Sequence, residues 1–184
     1  MVFINKLEKV CHKDINGYIL MCDYNTLKKE PYNKDYKVVL LTLDNYMAVL
    51  NLSSRDKEME KYITSDKIQG IALMKDNQLI CKGFVKSKPC KLDRFFKICD
   101  NDSYIIAHLS VEHNFRGKKY QCDLILELIH QIEHLKSNSK FYAFVYEYNI
   151  PSYKNFMRLG FKKVGEKTII RFMGKTINKI KLGG

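Results

Sequence analysis

One stretch constrains this chain more than any other. Cys122, Leu124, Ile125, Leu128, Ile129, Ile132 and Leu135 recur at helical spacing, which predicts an amphipathic helix over about 118–135. A stripe that wide has to be buried against a second layer, and the flanking sequence offers one. Residues 104–111 read as a strand, and residues 141–148 alternate as another. Residues 152–159 then read as a short helix closed by Gly160, followed by strands at 161–164 and 168–173.

Upstream, residues 36–43 are rich in β-branched residues and bounded by Asp44-Asn45, so they read as a strand. Residues 45–63 are patterned as one or two short helices with a break at Ser53-Ser54. Strands at 68–74 and 79–86, joined by Lys75-Asp76-Asn77-Gln78, give a hairpin. The first 35 residues hold an apolar stretch at 15–22 and a polar break at 28–35 containing Pro31, an N-terminal extra strand or hairpin. The reading is therefore mixed α+β.

With 184 residues, 46% of them hydrophobic and 12% aromatic, one domain spanning 1–184 is expected, with enough apolar area to fold. Clusters such as Val38-Val39-Leu40-Leu41 fall far short of the ~18 residues that cross a bilayer. No membrane partner is expected. The N-terminal Met1-Val2-Phe3-Ile4-Asn5-Lys6 has no sustained apolar region or small-residue cleavage site, so the cytoplasm is the default location. Cys11, Cys22, Cys81, Cys90, Cys99 and Cys122 form no CxxC pair and have no histidine at ligand spacing; His130 and His134 lack a third ligand. Reduced core thiols and no metal follow.

Thirty-two basic against 20 acidic residues give a net charge of +12, which points to a polyanionic partner without choosing among nucleic acid, an acidic membrane face and a phosphate-rich cofactor. Half of it lies in 161–184, where Lys162, Lys163, Lys167, Arg171, Lys175, Lys179 and Lys181 face Glu166 alone. Residues 176–184 read as a basic tail. A second basic stretch runs over 82–97, where Arg94-Phe95-Phe96-Lys97 interleaves rings with cations. A third is His113-Asn114-Phe115-Arg116-Gly117-Lys118-Lys119, a turn from strand to helix N-terminus, where unpaired backbone N–H groups and the helix dipole suit phosphate or pyrophosphate.

These residues carry a resemblance. Leu109-Ser110-Val111-Glu112-His113-Asn114-Phe115-Arg116-Gly117-Lys118 followed by the periodic helix resembles the acyl-CoA-binding motif of the GCN5-related N-acetyltransferase (GNAT) family. Asn149-Ile150-Pro151-Ser152-Tyr153-Lys154-Asn155-Phe156-Met157-Arg158-Leu159-Gly160-Phe161 is similar to the family's second motif, and Arg171-Phe172-Met173-Gly174-Lys175 to its last strand. The resemblance covers about 36–175. It implies a mostly antiparallel twisted sheet of about seven strands flanked by helices, with a splayed parallel pair forming the CoA cleft. It implies acetyl transfer from acetyl-CoA to a primary amine by direct attack. It places the cofactor on Leu109, Val111, Arg116, Gly117, Lys118, Lys119, Tyr120, Gln121, Cys122, Asn149, Ser152 and Phe156.

Three positions depart from the family pattern. Lys119 and Gln121 stand where small residues let backbone approach pyrophosphate, and Phe156 stands where many members carry the tyrosine that protonates the leaving thiolate. Tyr153, one turn earlier, is the substitute acid, ahead of Tyr146 and Tyr148. Glu112 and His108 are candidate bases, set by alternation on one face of the strand with Leu109, Val111 and His113 on the other. The alternatives are a CoA-binding module without efficient turnover and a nucleic-acid-associated protein. The acceptor is expected to be shaped by 45–65 and by a loop at 165–168, and the molecule to be a monomer or homodimer.

Overall fold

The computed structural model describes residues 15–50, 68–87, 102–133, 135–172 and 175–182. Eight strands form one sheet: β1 (Ile15–Asp23), β2 (Lys37–Leu41), β3 (Ile68–Lys75), β4 (Gln78–Lys86), β5 (Ser103–Val111), β6 (Lys140–Tyr146), β7 (Lys162–Phe172) and β8 (Lys175–Leu182). Their order is β2-β3-β4-β5-β6-β1-β7-β8. All neighbours are antiparallel except β5 and β6.

Three α-helices are described: α1 (Tyr46–Leu50), α2 (Tyr120–His130) and α3 (Ile150–Arg158). Alternate strand residues point to opposite faces, and two clusters follow from that. On one face Cys81, Val85 and Ile106 pack with Leu124, Ile125, Leu128 and Ile129 of α2 and Phe156 of α3. On the other, Phe84, Ala72 and Leu41 pack with Tyr46 of α1. Burying each large aliphatic side chain of α2 contributes about 1.5–3 kcal/mol, so the apolar stripe seen in the sequence anchors the helix to the sheet.

Several boundaries differ from the sequence reading, each for a physical reason. The 15–22 stretch is the expected extra strand, β1, and it lies inside the sheet between β6 and β7. Leu20 and Cys22 face one side and Ile19 the other, all buried, which only an inner strand with two covered faces permits. With β1 and β8 added and the expected strands at 161–164 and 168–173 merged into one, the total is eight. The expected 165–168 loop does not exist: 162–172 is one continuous strand, with Ile19 of β1 opposite Gly165 and Leu20 opposite Lys163, so the register slip is absorbed by β7 at Val164. Nor is 176–182 a tail. Residues 175–182 return along β7 as β8, with Lys181 opposite Glu166 and Lys179 opposite Thr168.

The long helix is shorter at both ends than its apolar period. Lys119, at φ 64, is its N-cap, and Gln131 ends it, while Ile132 and Leu135 still pack on the core from outside the helix. The β3–β4 hairpin turns on Asp76 and Asn77, both at positive φ (49 and 60), as a tight two-residue turn requires. Beyond α1, the expected 45–63 helices lie outside the described residues, as do Arg94-Phe95-Phe96-Lys97 and Cys11, Cys90 and Cys99.

The connection from β1 to β2 is strapped across α2. Asp123, fully buried in the first turn, accepts from the Tyr32 backbone N–H at 2.6 Å and from Asn33 Nδ2 at 2.7 Å, and Asn33 Nδ2 also donates to the Lys118 carbonyl at 2.8 Å. Farther along, Tyr36 donates to Glu127 at 3.0 Å, while Asp35 takes the Tyr120 hydroxyl and an ion pair from Lys75. At the other end Lys28 N–H donates to the Leu159 carbonyl, tying the strap to the end of α3. Removing the Asp123 carboxylate takes the acceptor from the Tyr32 N–H and from one of the two hydrogens of the Asn33 amide. Asp123→Ala is expected to cost about 3 kcal/mol in urea unfolding, with Asp123→Asn recovering part of it; a loss under about 1 kcal/mol would remove the strap from the stability argument.

Candidate functional site: a basic cleft between separating strands

The two parallel strands part company halfway. Ser103–Ile106 of β5 pair with Lys140–Ala143 of β6, and then pairing stops although both strands continue. The cause lies in β5. His108 adopts φ 54, and the β4–β5 register slips there, so that His108 and Leu109 together oppose Gly83. Past this bulge β5 stays with β4, pairing Ser110 to Lys82 and Val111 to Cys81. Meanwhile β6 stays with β1 as far as Tyr146 opposite Gly17. Each strand follows its other neighbour and a gap opens between them.

Gly83 is required for the geometry above the gap. A Cβ there would meet Leu109 Cδ2 at 2.5 Å and Leu128 and Leu124 at 3.1 and 3.2 Å, so a side chain would push the bulge and α2 apart. Leu109 thus packs with α2, while His108 sits edge-on to Phe84 of the opposite cluster, 6.2 Å between ring centres. The alternation expected for these two residues holds.

The gap widens into a cleft of about 740 Å³ between the end of β5, the basic turn, α2 and α3. Of the twelve expected cofactor residues, Leu109, Val111, Arg116, Gly117, Lys119, Gln121, Asn149 and Ser152 line it. Ser110, Phe115, Ile150, Pro151, Lys154, Asn155 and Arg158 line it too, and the sequence reading missed them. A signal existed: Pro151, Lys154, Asn155 and Arg158 follow i, i+3, i+4, i+7 and make one face of α3. Four cations and no carboxylate line the cleft. Such walls attract an anion and give it nothing to be repelled by.

The turn itself is built from two residues in the left-handed region, Gly117 at φ 80 and Lys119 at φ 64. A Cβ on Gly117 would meet nothing within 4 Å, so conformation rather than space demands glycine there. Arg116 Nε donates to the Val111 carbonyl at 3.2 Å, which ties the turn back to the strand end. The α2 N-terminus opens at this point with its dipole and without a side-chain cap, its Cys122 N–H donating to the Lys119 carbonyl at 2.8 Å. Lys118 and Lys119 extend over the rings of Phe115 and Tyr32, at 5.7 and 4.6 Å from the centroids.

Gln121, expected to crowd a phosphate, is instead turned across to α3. Its Nε2 donates to Ser152 Oγ at 2.7 Å, and its Oε1 accepts from Asn155 Nδ2 at 3.1 Å. Asn149 caps α3, its Oδ1 accepting from Ser152 N–H at 3.3 Å. The side-chain amide therefore braces the two helices that wall the cleft.

Other expected site residues are placed elsewhere. Phe156 is buried against Phe161, 4.9 Å between ring centres, and lines core rather than cleft. Tyr120 and Cys122 face the core as well: they sit in the first turn of α2, where one helical face must be buried. Lys118 is exposed beside the cleft without lining it. Tyr153 packs against Tyr18 of β1 with ring centres 5.2 Å apart, because α3 turns that side to the sheet and presents Lys154 and Asn155 to the cleft. Glu112 and His108 are exposed and also lie outside the cleft lining. None of the three expected catalytic side chains lines the cleft.

Burial, reinforced by Asp123, pushes the Cys122 thiol up to about 11. Its Sγ contacts the Asn155 carbonyl at 3.7 Å, and so protonated a thiol does not carry an acyl group at neutral pH. Among the described residues no group of three or more His, Cys, Asp or Glu could hold a metal, and no helix is long and apolar enough to cross a membrane.

No family model matches the chain, and no curated protein does. Solved structures do. A GCN5-related N-acetyltransferase from Kribbella flavida superposes with a TM-score of 0.63 at 8% identity, over 95% of this chain and 64% of that one. A GNAT-family acetyltransferase structure from Novosphingobium aromaticivorans gives 0.55 at 12%, over 86% and 64%. An aminoglycoside N-acetyltransferase in complex with CoA gives 0.52 at 14%, over 69% of this chain and 92% of that one. The chain spans less than two thirds of the first two proteins. This chain has a GNAT-like fold: a mixed sheet of eight strands whose parallel pair is β5 and β6.

The raised thiols give a direct check. Cys22, Cys81 and Cys122 are all buried, and burial raises the pKa of each. In the folded protein at pH 7.5 these three are expected to alkylate with iodoacetamide at least about tenfold more slowly than in urea, as read by peptide mass mapping. Fast labelling of Cys122 in the native protein would show that its site is open to solvent.

Proposed function

We propose that the protein is an acyl-CoA-dependent N-acyltransferase that moves an acetyl group from acetyl-CoA to a primary amine by direct attack. The observation that carries this reading is the cleft: it opens where β5 and β6 separate, and it is walled by four cations, a left-handed turn and a helix N-terminus, with no carboxylate. A CoA carries several negative charges on its phosphates and a flexible amide-bearing arm, and both find partners here. Arg116, Lys119 and the first-turn amides of α2 suit the pyrophosphate, with Lys118 adding charge beside them; Lys154 and Arg158 supply further cations from α3. Backbone groups of Leu109 and Val111, left without a strand partner on the β6 side, suit the amides of the arm, with Asn149 and Ser152 across the gap.

Transfer needs a neutral amine, donors for the carbonyl oxygen and a proton for the departing thiolate. His108 stands on the side of β5 that carries Phe84, away from α2, and with Glu112 is a candidate acceptor for the amine's proton. The buried Cys122 thiol argues for attack by the amine itself rather than through an acyl-cysteine. A second reading, a CoA-binding module without turnover, draws support from one observation: Tyr153 packs on Tyr18, and Phe156 is core.

Titration calorimetry with CoA, and free-thiol release from acetyl-CoA across polyamines, aminoglycosides, amino acids and peptides, separate the two. Binding together with thiol release on at least one amine is expected; binding without release would favour the module. Arg116→Glu is expected to weaken CoA binding by roughly tenfold or more, about 1.4 kcal/mol, and an unchanged dissociation constant would remove the turn from the site. Binding to a single-stranded RNA that falls steeply with salt, in a protein that ignores CoA, would instead assign the cations to nucleic acid.

A further inference from the structure

We propose that Arg158, aimed by a hydrogen-bonded chain running through Asn155 to Gln121, reads the 3'-phosphate of CoA and so discriminates CoA from dephospho-CoA, which lacks that group. The proposal deepens the acyl-CoA reading above and rests on it.

Two arginines line the cleft, and the protein pins each of them at a different place. Arg116 is tied through Nε to the Val111 carbonyl, so its guanidinium belongs to the turn. Arg158 reaches the cleft from α3, where its Nη1 donates to Asn155 Oδ1 at 2.9 Å. Asn155 Nδ2 donates in turn to Gln121 Oε1 at 3.1 Å, and Gln121 Nε2 donates to Ser152 Oγ at 2.7 Å. The donors all run one way. A guanidinium can only donate, so it draws the Asn155 oxygen; that leaves the Asn155 nitrogen for the Gln121 oxygen, and the Gln121 nitrogen for Ser152. Bonds in such a chain polarise and strengthen one another. An exposed arginine ordinarily loses rotamer freedom on binding a ligand, and here part of that ordering is already in place.

The group held ready has no anionic partner in the protein. No carboxylate lines the cleft, and among the described residues no ion pair involves Arg158 or Lys154. Lys154 stands four residues before Arg158 on the cleft face of α3, a spacing at which like charges destabilise a helix. An anion between them removes that repulsion. The pyrophosphate does not account for this pair, because Arg116, Lys119 and the α2 N-terminus already serve it at the turn. CoA carries one further phosphate, a monoester on the ribose a few bonds from the pyrophosphate. Asn155 occupies one donor of Arg158 and leaves the rest of the fork to the ligand, and a phosphate monoester accepts two such N–H groups side by side. Gln121, out of place in the family motif, thereby has a use: it aims a cation on the neighbouring helix.

The test is titration calorimetry of the full chain with CoA and with dephospho-CoA, read as the ratio of the two dissociation constants. The unmodified chain is expected to bind CoA at least about tenfold more tightly. Arg158→Gln should weaken CoA about tenfold and dephospho-CoA less than about twofold, which collapses the ratio. Gln121→Ala keeps the cation but releases it, and should lower the ratio at least about threefold. Lys118→Gln removes one charge from beside the turn and should weaken both ligands alike, with the ratio unmoved. Arg158 is exposed, so its variant should fold, and its melting temperature is read alongside. A ratio below about twofold in the unmodified chain would overturn the proposal. An Arg158→Gln variant that weakens both ligands equally, as loss of net charge alone would, overturns it too. An unchanged ratio in Gln121→Ala would remove the aiming role of Gln121. Failure of the unmodified chain to bind either ligand would instead sink the acyl-CoA reading beneath it.

Discussion

Everything about the site depends on one unfavourable backbone conformation. His108 at φ 54 inserts an extra residue opposite Gly83, and from there β5 is bound to β4 and lost to β6. A non-glycine residue in the left-handed region costs of order 1 kcal/mol or more, and it persists because the surroundings over-determine it. Leu109 is held by Leu124 and Leu128 over the side-chain-free Gly83, and His108 by Phe84 on the other face. The core on both sides of the sheet therefore keeps the strands apart.

The second constraint is that the helix N-terminus must stay where the strands separate. Its own sequence does not cap it, since Lys119 offers no side-chain acceptor. The job falls to contacts from far away: Tyr32 and Asn33 on Asp123, Asn33 again on Lys118, and Gln121 bridging to Ser152 and Asn155. The same shortage of carboxylates shapes the surface. Five lysines among the described residues lie over aromatic rings, Lys29 closest at 3.7 Å from the Tyr24 centroid. With 32 basic against 20 acidic residues, the rings add cation–π attraction beside the ion pairs, as at Lys163, which also pairs with Glu166.

Much of this was readable from local pattern. The hairpin at Asp76-Asn77, the turn at Arg116-Gly117 and the short helix before Gly160 each depend on a few adjacent residues, and each lies close to where the pattern puts it. The errors share a cause. Whether 15–22 is an outer or inner strand, and whether 162–172 breaks at Gly165, depend on partners more than a hundred residues away. The surroundings of Tyr153 were out of reach for a related reason: helical spacing places it near position 156, but only the packing of α3 on β1 decides which side of the helix meets Tyr18.

By itself the sequence determined the elements, the anion-seeking charge and the motif order, because periodicity, turn chemistry and net charge are properties of short windows or of sums. Tertiary structure alone decided which side chains meet across the cleft. Gln121 looks in sequence like a bulky residue where the motif wants a small one. It becomes a brace only when packing sets α3 beside α2 and brings Ser152 and Asn155 to its amide. Hydrogen-bond satisfaction belongs to the packed arrangement, not to the residue.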